Sequence, residues 1–282
     1  MTSNELAADR GLVGEVAIVT GGGRGIGRAI AQRLAQAGAT TILVARSTAE
    51  LQSAVSHIKN TGGQATYVRA DVTDHTDVER MVGNVLAEFG SINLLVNSAG
   101  DPGPIAPVWE MDIDRWWYCM EVNLRGPFLC AKAVLPQMIK QGCGRIVNIA
   151  SASGLEPLAY DSAYVTSKSA LLRLTENIAM ETKTYGISIF SVDPGTVRTA
   201  MTEKVLQSVE MRTWMPWLQD IFDQGNDVPP ERVAQLVRDL ASGKADVLSG
   251  CLISIWDNID EMVAQRNDID GRNLYRLRLL RL

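Results

Sequence analysis

Short, continuously apolar runs alternate with longer stretches of helical periodicity along most of this chain, and that alternation leaves few folds open. The apolar runs fall at residues 16–20, 41–45, 65–70, 92–97, 145–150, 187–192 and 247–255. Helical spacing fills 25–37, 48–60, 74–89, 114–141 and 162–185. Strands that are apolar along their whole length, rather than at alternate positions, are strands covered on both faces. Strands joined by helical crossovers of one hand form a parallel sheet with helices on each side. The expected fold is therefore a single α/β domain, a doubly wound seven-stranded parallel sheet flanked by helices. A length of 282 residues suits one large domain and is enough for a sizeable core.

The domain is expected to run over 12–257, behind a flexible N-terminus at 1–11 and ahead of a C-terminal tail at 258–282. Two segments depart from the strand–helix alternation. Residues 199–228 are long for a connection and carry Met201, Met211, Trp214, Met215 and Trp217. Long loops in compact domains are usually functional, so this one is expected to be a substrate lid, with a fixed packing element as the alternative. The tail interleaves Arg272, Arg276, Arg278 and Arg281 with Leu274, Tyr275, Leu277, Leu279, Leu280 and Leu282. Apolar side chains at that density are costly to expose. The tail is thus expected to make an oligomer contact; the alternative is that it folds back on its own sheet edge.

Composition narrows the partners. The net charge is −5 and no basic stripe appears, which argues against nucleic acid. Cys119, Cys130, Cys143 and Cys251 form no CxxC pair and there are only two histidines, so neither a metal site nor a disulfide framework is expected. Free thiols fit a reducing cytosol. Residues 1–10 carry acids and no apolar run, unlike a signal peptide, and no stretch is long enough to span a bilayer. A cytoplasmic protein is the expectation.

The segment Thr20-Gly21-Gly22-Gly23-Arg24-Gly25-Ile26-Gly27 joins the first strand to the first helix. Glycines there permit a tight turn and let backbone N–H groups approach a pyrophosphate, to which the helix N-terminus adds partial positive charge. A structural turn needs glycine too, but this placement favours a dinucleotide. An NAD site usually has an acid at the end of the second strand, accepting from the ribose 2′-hydroxyl. Here the residues are Ala45-Arg46-Ser47. No carboxylate repels a 2′-phosphate, and Arg46 and Arg24 offer guanidinium groups that suit one. NADP(H) is therefore expected over NAD(H).

Tyr164 and Lys168 lie four residues apart on an expected helix, so they share one face. A neighbouring ammonium favours the phenolate, which makes a tyrosine a usable acid/base near neutrality. Tyr-x-x-x-Lys alone is a common accident; its surroundings are not. Thr20–Gly27 is joined by Asp71-Val72, by Asn97-Ser98-Ala99-Gly100 and by Asn123 within Val122-Asn123-Leu124. Ser151 follows the fifth strand, Tyr164-Val165-Thr166-Ser167-Lys168 comes thirteen residues later, and Asp193-Pro194-Gly195 precedes Val197 and Thr199. In these motifs and their order the chain resembles the short-chain dehydrogenase/reductase family over about residues 12–255. Ser98 departs from the family's usual Asn, and Ser153 competes with Ser151 for the serine role at a less typical spacing.

The resemblance implies a Rossmann-type dinucleotide domain and interconversion of a secondary alcohol and a ketone by hydride transfer. Tyr164 would move the proton, Ser151 would hydrogen-bond the substrate oxygen, Lys168 would lower the Tyr164 pKa and hold the nicotinamide ribose, and Asn123 would anchor a water. The cofactor would be held by Gly21, Gly23, Arg24, Gly25, Ile26, Gly27, Arg46 and Ser47. Asp71, Val72, Asn97, Ala99 and Gly100 would extend that surface, and Pro194, Gly195, Val197 and Thr199 would border the nicotinamide with Tyr164 and Lys168. The substrate would be a lipophilic small molecule and the assembly a homodimer or homotetramer. Two other readings remain: a 3-oxoacyl-thioester reductase, and a non-catalytic dinucleotide sensor on the same fold.

Overall fold

The computed structural model describes residues 11–278. The expected N-terminal segment lies outside the described residues except for Gly11, as do Leu279, Leu280, Arg281 and Leu282 of the tail. Seven parallel strands form one sheet: β1 (Val16–Thr20), β2 (Thr40–Ala45), β3 (Gln64–Arg69), β4 (Leu94–Asn97), β5 (Gly144–Ile149), β6 (Ile187–Asp193) and β7 (Leu252–Ser254). Their order is β3-β2-β1-β4-β5-β6-β7. Order reverses between β1 and β4, and such a reversal opens a crevice beyond the strands' C-terminal ends.

Alternate residues of each strand point to opposite faces and meet different helices. Ala17, Val19 and Leu43 pack with Ile30 and Leu34 of α1 (Gly25–Gln36) and Leu51 of α2 (Thr48–Asn60). Val16, Ile18 and Ile42 pack with Met81 of α3 (His75–Phe89) and with Val134 of the helix Gly126–Gln141. Both faces are thus buried, which is why the strands read as continuous apolar runs.

The single helix expected over 114–141 is broken. It comprises α4 (Ile113–Met120), a π turn at Glu121–Arg125, and α5 (Gly126–Gln141). Pro127 has no N–H to donate to the Asn123 carbonyl four residues back, so the α-helical ladder cannot run through unaltered. α6 (Ser162–Thr182) then leads through a 3-10 turn to β6. The last strand is shorter than expected: Asp246–Leu248 is a 3-10 turn, and Gly250 at φ 87° turns the chain before β7 starts.

The segment over 199–228 folds as α7 (Ala200–Leu206), α8 (Val209–Trp214) and α9 (Trp217–Asp223). Met211, Met215 and Phe222 gather with Leu206 and Ile105 into an apolar cluster separate from the sheet core. α10 (Pro230–Ala241) follows; the sequence reading had no helix there, although Val233, Val237 and Leu240 carry the period and Pro230 suits a first turn. The tail forms α11 (Ile259–Ala264) and α12 (Arg266–Arg272), and Ile259, Met262 and Ile269 enter the core. Its described end lies on its own chain: the Leu252 N–H donates to the Tyr275 carbonyl at 2.9 Å, and Leu277 N–H to Glu176 Oε1 at 3.0 Å. Glu176, buried within α6, also pairs with Arg173 and Arg278. No helix among the described residues is long and apolar enough to cross a membrane.

Candidate active site

The crevice at the β1/β4 reversal is a cleft of about 330 Å³. Its floor is the turn from β1 into α1. Gly21 adopts φ 66°, and a Cβ there would lie 2.9 Å from Ala99 N; a Cβ on Gly27 would lie 2.4 Å from the Gly21 carbonyl oxygen. Only glycine allows these approaches. The Thr20 hydroxyl accepts from Ser98 N–H at 3.0 Å and Ala99 N–H at 3.1 Å, which holds the segment after β4 against the turn. The first N–H groups of α1 are left open at this cradle, so the residues present fit a pyrophosphate.

Most of the residues expected to bind cofactor line this cleft: Gly21, Gly23, Arg24, Gly25, Ile26 and Gly27 from the turn, then Arg46, Ser47, Asp71, Val72, Ala99, Gly100 and Thr199. Asn97 does not. It is buried in β4, where Nδ2 donates to Asn148 Oδ1 at 2.8 Å, part of a polar chain through Thr175 to Ser191. Pro194 and Val197 are buried beyond the cleft, and Gly195 takes φ 65° at the end of β6. Thr199 caps α7 in a reciprocal pair with Thr202, which sets the root of the 199–228 segment beside Gly25.

Two cleft residues, Tyr118 and Glu50, had no signal in local spacing. The Arg46 guanidinium donates to the Tyr118 hydroxyl and lies 3.8 Å from Asp71 Oδ2. Glu50 meets Arg24 at 3.4 Å, so each of the two arginines has a carboxylate within reach and both stay largely exposed.

Ser151, Tyr164 and Lys168 lie together outside the lining of this cleft, Tyr164 and Lys168 included among the residues expected to bind cofactor, and Asn123 contacts Asp101, which does line it. Ser151 lies two residues beyond β5 and its Oγ accepts from Ser153 N–H at 3.1 Å, in a turn held by Ala152 N–H to Asp193 Oδ1 at 3.0 Å. A hydrogen bond from the Ser151 side chain favours the Tyr164 phenolate. Lys168 is buried; Nζ donates to the Ile149 carbonyl at 2.8 Å and sits 5.4 Å from the Tyr164 ring centroid. Asn123 uses its side chain structurally, accepting from Asp101 N–H at 2.8 Å and donating to Ser167 Oγ at 3.0 Å.

Burial, followed by the charge of Asp161, holds the Tyr164 phenol above its ordinary value. Burial also lowers Lys168 to about 8. The dry pocket that disfavours a phenolate disfavours the ammonium as well.

The family model for short chain dehydrogenases matches residues 15–210. The chain belongs to this family. It is 38% identical over 275 residues to a short chain dehydrogenase of Pseudocercospora fijiensis, covering 95% of this chain and 88% of the relative. It is 34% identical over 242 residues to the cis-4-hydroxycyclohexanecarboxylate dehydrogenase of Sinomonas cyclohexanicum, covering 85% and 94%. A solved structure of an actinorhodin polyketide ketoreductase variant with NADPH superposes with a TM-score of 0.80 at 31% identity, covering 85% of this chain and 95% of that one. This short-chain dehydrogenase is accordingly an oxidoreductase of small molecules whose cofactor is a nicotinamide dinucleotide.

Proposed function

We propose that this short-chain dehydrogenase interconverts a secondary alcohol and a ketone on a lipophilic small molecule, with NADP(H) preferred over NAD(H). The observation that supports the reading is the proximity of Ser151, Tyr164 and Lys168 to one another in a fold that also carries a glycine-walled cleft. When bound, the nicotinamide supplies or accepts the hydride at the substrate carbon. Tyr164 transfers the proton between its phenolic oxygen and the substrate oxygen. Ser151 Oγ donates to that oxygen and steadies charge developing on it. Lys168, turned from the Ile149 carbonyl toward the ribose, supports the phenolate. The Asn123 carbonyl, without an N–H from Pro127, is where a proton-relaying water would be held. Exposed Arg46 supports the 2′-phosphate preference. Four free cysteines, three of them buried, support a reducing, cytoplasmic setting. The test is oxidation of NADPH and NADH over a panel of cyclic ketones, hydroxysteroids, sugars and oxoacyl esters. Turnover of none of them would overturn the reading, and turnover of the esters alone would favour the thioester reductase.

The 199–228 segment acts in this proposal as a lid that shields hydride transfer from water. Its apolar cluster is separate from the main core, and separate, small cores open at low cost. Backbone amides there are expected to gain protection from hydrogen exchange when cofactor and substrate are both added. Unchanged exchange would leave a fixed packing element instead.

A homodimer or homotetramer completes the proposal, with the tail at a subunit boundary. Val108, Trp109, Ile113 and Trp117 are all more than half exposed along α4 and the turn before it, an apolar surface that a monomer rarely leaves open. Deleting residues 274–282 removes Leu277 and Arg278 from buried Glu176, leaving it with Arg173. The expected loss is about 2 kcal/mol of stability, the range for hydrogen bonds to a charged group, together with a lower oligomer mass in light scattering. An unchanged unfolding midpoint and mass would remove both roles.

A further inference from the structure

One buried polar group beside the reacting centre is used by nothing described above. Asp161 is only 7% exposed. It holds the N-cap position of α6, where an aspartate ordinarily accepts from the helix's first free N–H groups. Asp74 and Asp112 do this at α3 and α4. Asp161 makes no such bond, and its Oδ1 is buried with no hydrogen-bond partner among the described residues. No cation among the described residues supplies one either. Arg115 is engaged with Asp101 at 3.5 Å and Lys168 with the Ile149 carbonyl. The titratable groups facing Asp161 are the Tyr164 phenol and the Cys119 thiol, itself pushed up to about 12 by burial.

The backbone holds the carboxyl in this position. Tyr160, just before it, takes φ 70°, a left-handed conformation unusual for an aromatic residue. Its carbonyl accepts from Ala106 N–H at 3.0 Å, and its ring lies 4.9 Å from that of Trp214 on α8. The loop after β4 on one side and the 199–228 segment on the other therefore grip the turn. Asp161, the N-cap, and Tyr164, in the first turn of α6, are three residues apart, and the Asp161 charge raises the Tyr164 phenol. An unsatisfied buried carboxyl is costly, and such groups call for an explanation in the protein's work.

We infer that Asp161 is a specificity-determining residue that binds a second hydroxyl of the substrate, so that hydroxy ketones and diols are preferred over simple ketones and mono-alcohols. A hydroxyl fits better than an ammonium. It satisfies the orphaned oxygen without bringing a second charge out of water. It also pairs with either form of the carboxyl, accepting from the acid or donating to the carboxylate, and burial places the changeover at about 7. The inference rests on the alcohol–ketone reading of the site.

The test compares adipoin with cyclohexanone and acetoin with butanone. Wild-type kcat/KM is expected to favour the hydroxy ketone of each pair by about tenfold or more, since a site built to bond a hydroxyl discriminates strongly against its absence. Asp161→Ala should bring the ratio close to one while retaining turnover of the simple ketones, and Asp161→Asn, which can still accept, should restore part of it. Asp161→Ser serves if the alanine variant does not fold. A wild type that reduces all four without preference, or an alanine variant that keeps the preference, overturns the Asp161 assignment and leaves the proposed function standing. No turnover of any ketone overturns both. Stability gives a readout without substrate. The folded carboxyl titrates well above the ordinary value of about 3.9, so the folded state holds its proton more tightly. The penalty is then absent near pH ~4 and fully present above pH ~7. Asp161→Asn is expected to raise Tm at about pH 8, with the gap closing toward about pH 4; a lower Tm for the variant at the higher pH would mean that the carboxylate has a stabilising partner, and the inference fails.

Discussion

Replacing Tyr164 with Phe is expected to cut turnover by about 10²–10⁴-fold, the usual worth of positioned acid–base catalysis, with cofactor affinity little changed. The substitution removes one oxygen and keeps the ring above Lys168, whose Nζ sits 5.4 Å from the ring centroid. The cradle at Gly21 and Gly27 is untouched. Burial keeps the Tyr164 phenol protonated through neutral pH, so the wild type holds a proton ready for ketone reduction. Alcohol oxidation needs the phenolate and is expected to rise with pH. Lys168 loses its charge above about 8 and then ceases to support that phenolate. Pre-steady-state measurement on the purified variant, with cofactor binding followed by fluorescence, checks both halves. Substantial residual activity would sink the assignment of Tyr164.

The second large effect concerns cofactor choice. Ala45→Asp combined with Arg46→Ile is expected to lower kcat/KM for NADP(H) roughly a hundredfold and to raise it for NAD(H). Placing like charges together costs several kcal/mol, and about 1.4 kcal/mol is a factor of ten. An aspartate at the end of β2 would repel a 2′-phosphate and accept from a ribose hydroxyl. Arg46 is the residue changed because it directly follows β2, although like Arg24 with Glu50 it has a carboxylate within reach, Asp71 at 3.8 Å. Steady-state kinetics with both dinucleotides on wild type and variant decide it. Equal wild-type efficiency with the two, or an unmoved ratio in the variant, would count against Arg46.

The sheet and its crevice were legible because their causes are local. Val16–Thr20 is apolar at every position since helices cover both faces, and Gly21 and Gly27 sit where a Cβ would strike the backbone of the same turn. Tyr164 and Lys168 share a face by helical spacing alone. Where the reading went astray, the cause was a backbone detail or a distant partner. Pro127 turned one expected helix into α4, a π turn and α5, and Gly250 shortened β7 from nine expected residues to Leu252–Ser254.

The sequence by itself therefore determined the layer order, the cradle and the spacing of the candidate catalytic groups, because each depends on residues within a few turns of one another. Only the tertiary structure decided that Tyr118 meets Arg46, that Glu50 tempers Arg24 and that Glu176 receives the tail. It also decided that Asp161 Oδ1 is buried near Tyr164 with no hydrogen-bond partner among the described residues. These pairings join, or withhold, side chains carried by different elements of the fold. They are set by how the helices seat on the sheet, and no short-range period in the chain expresses that.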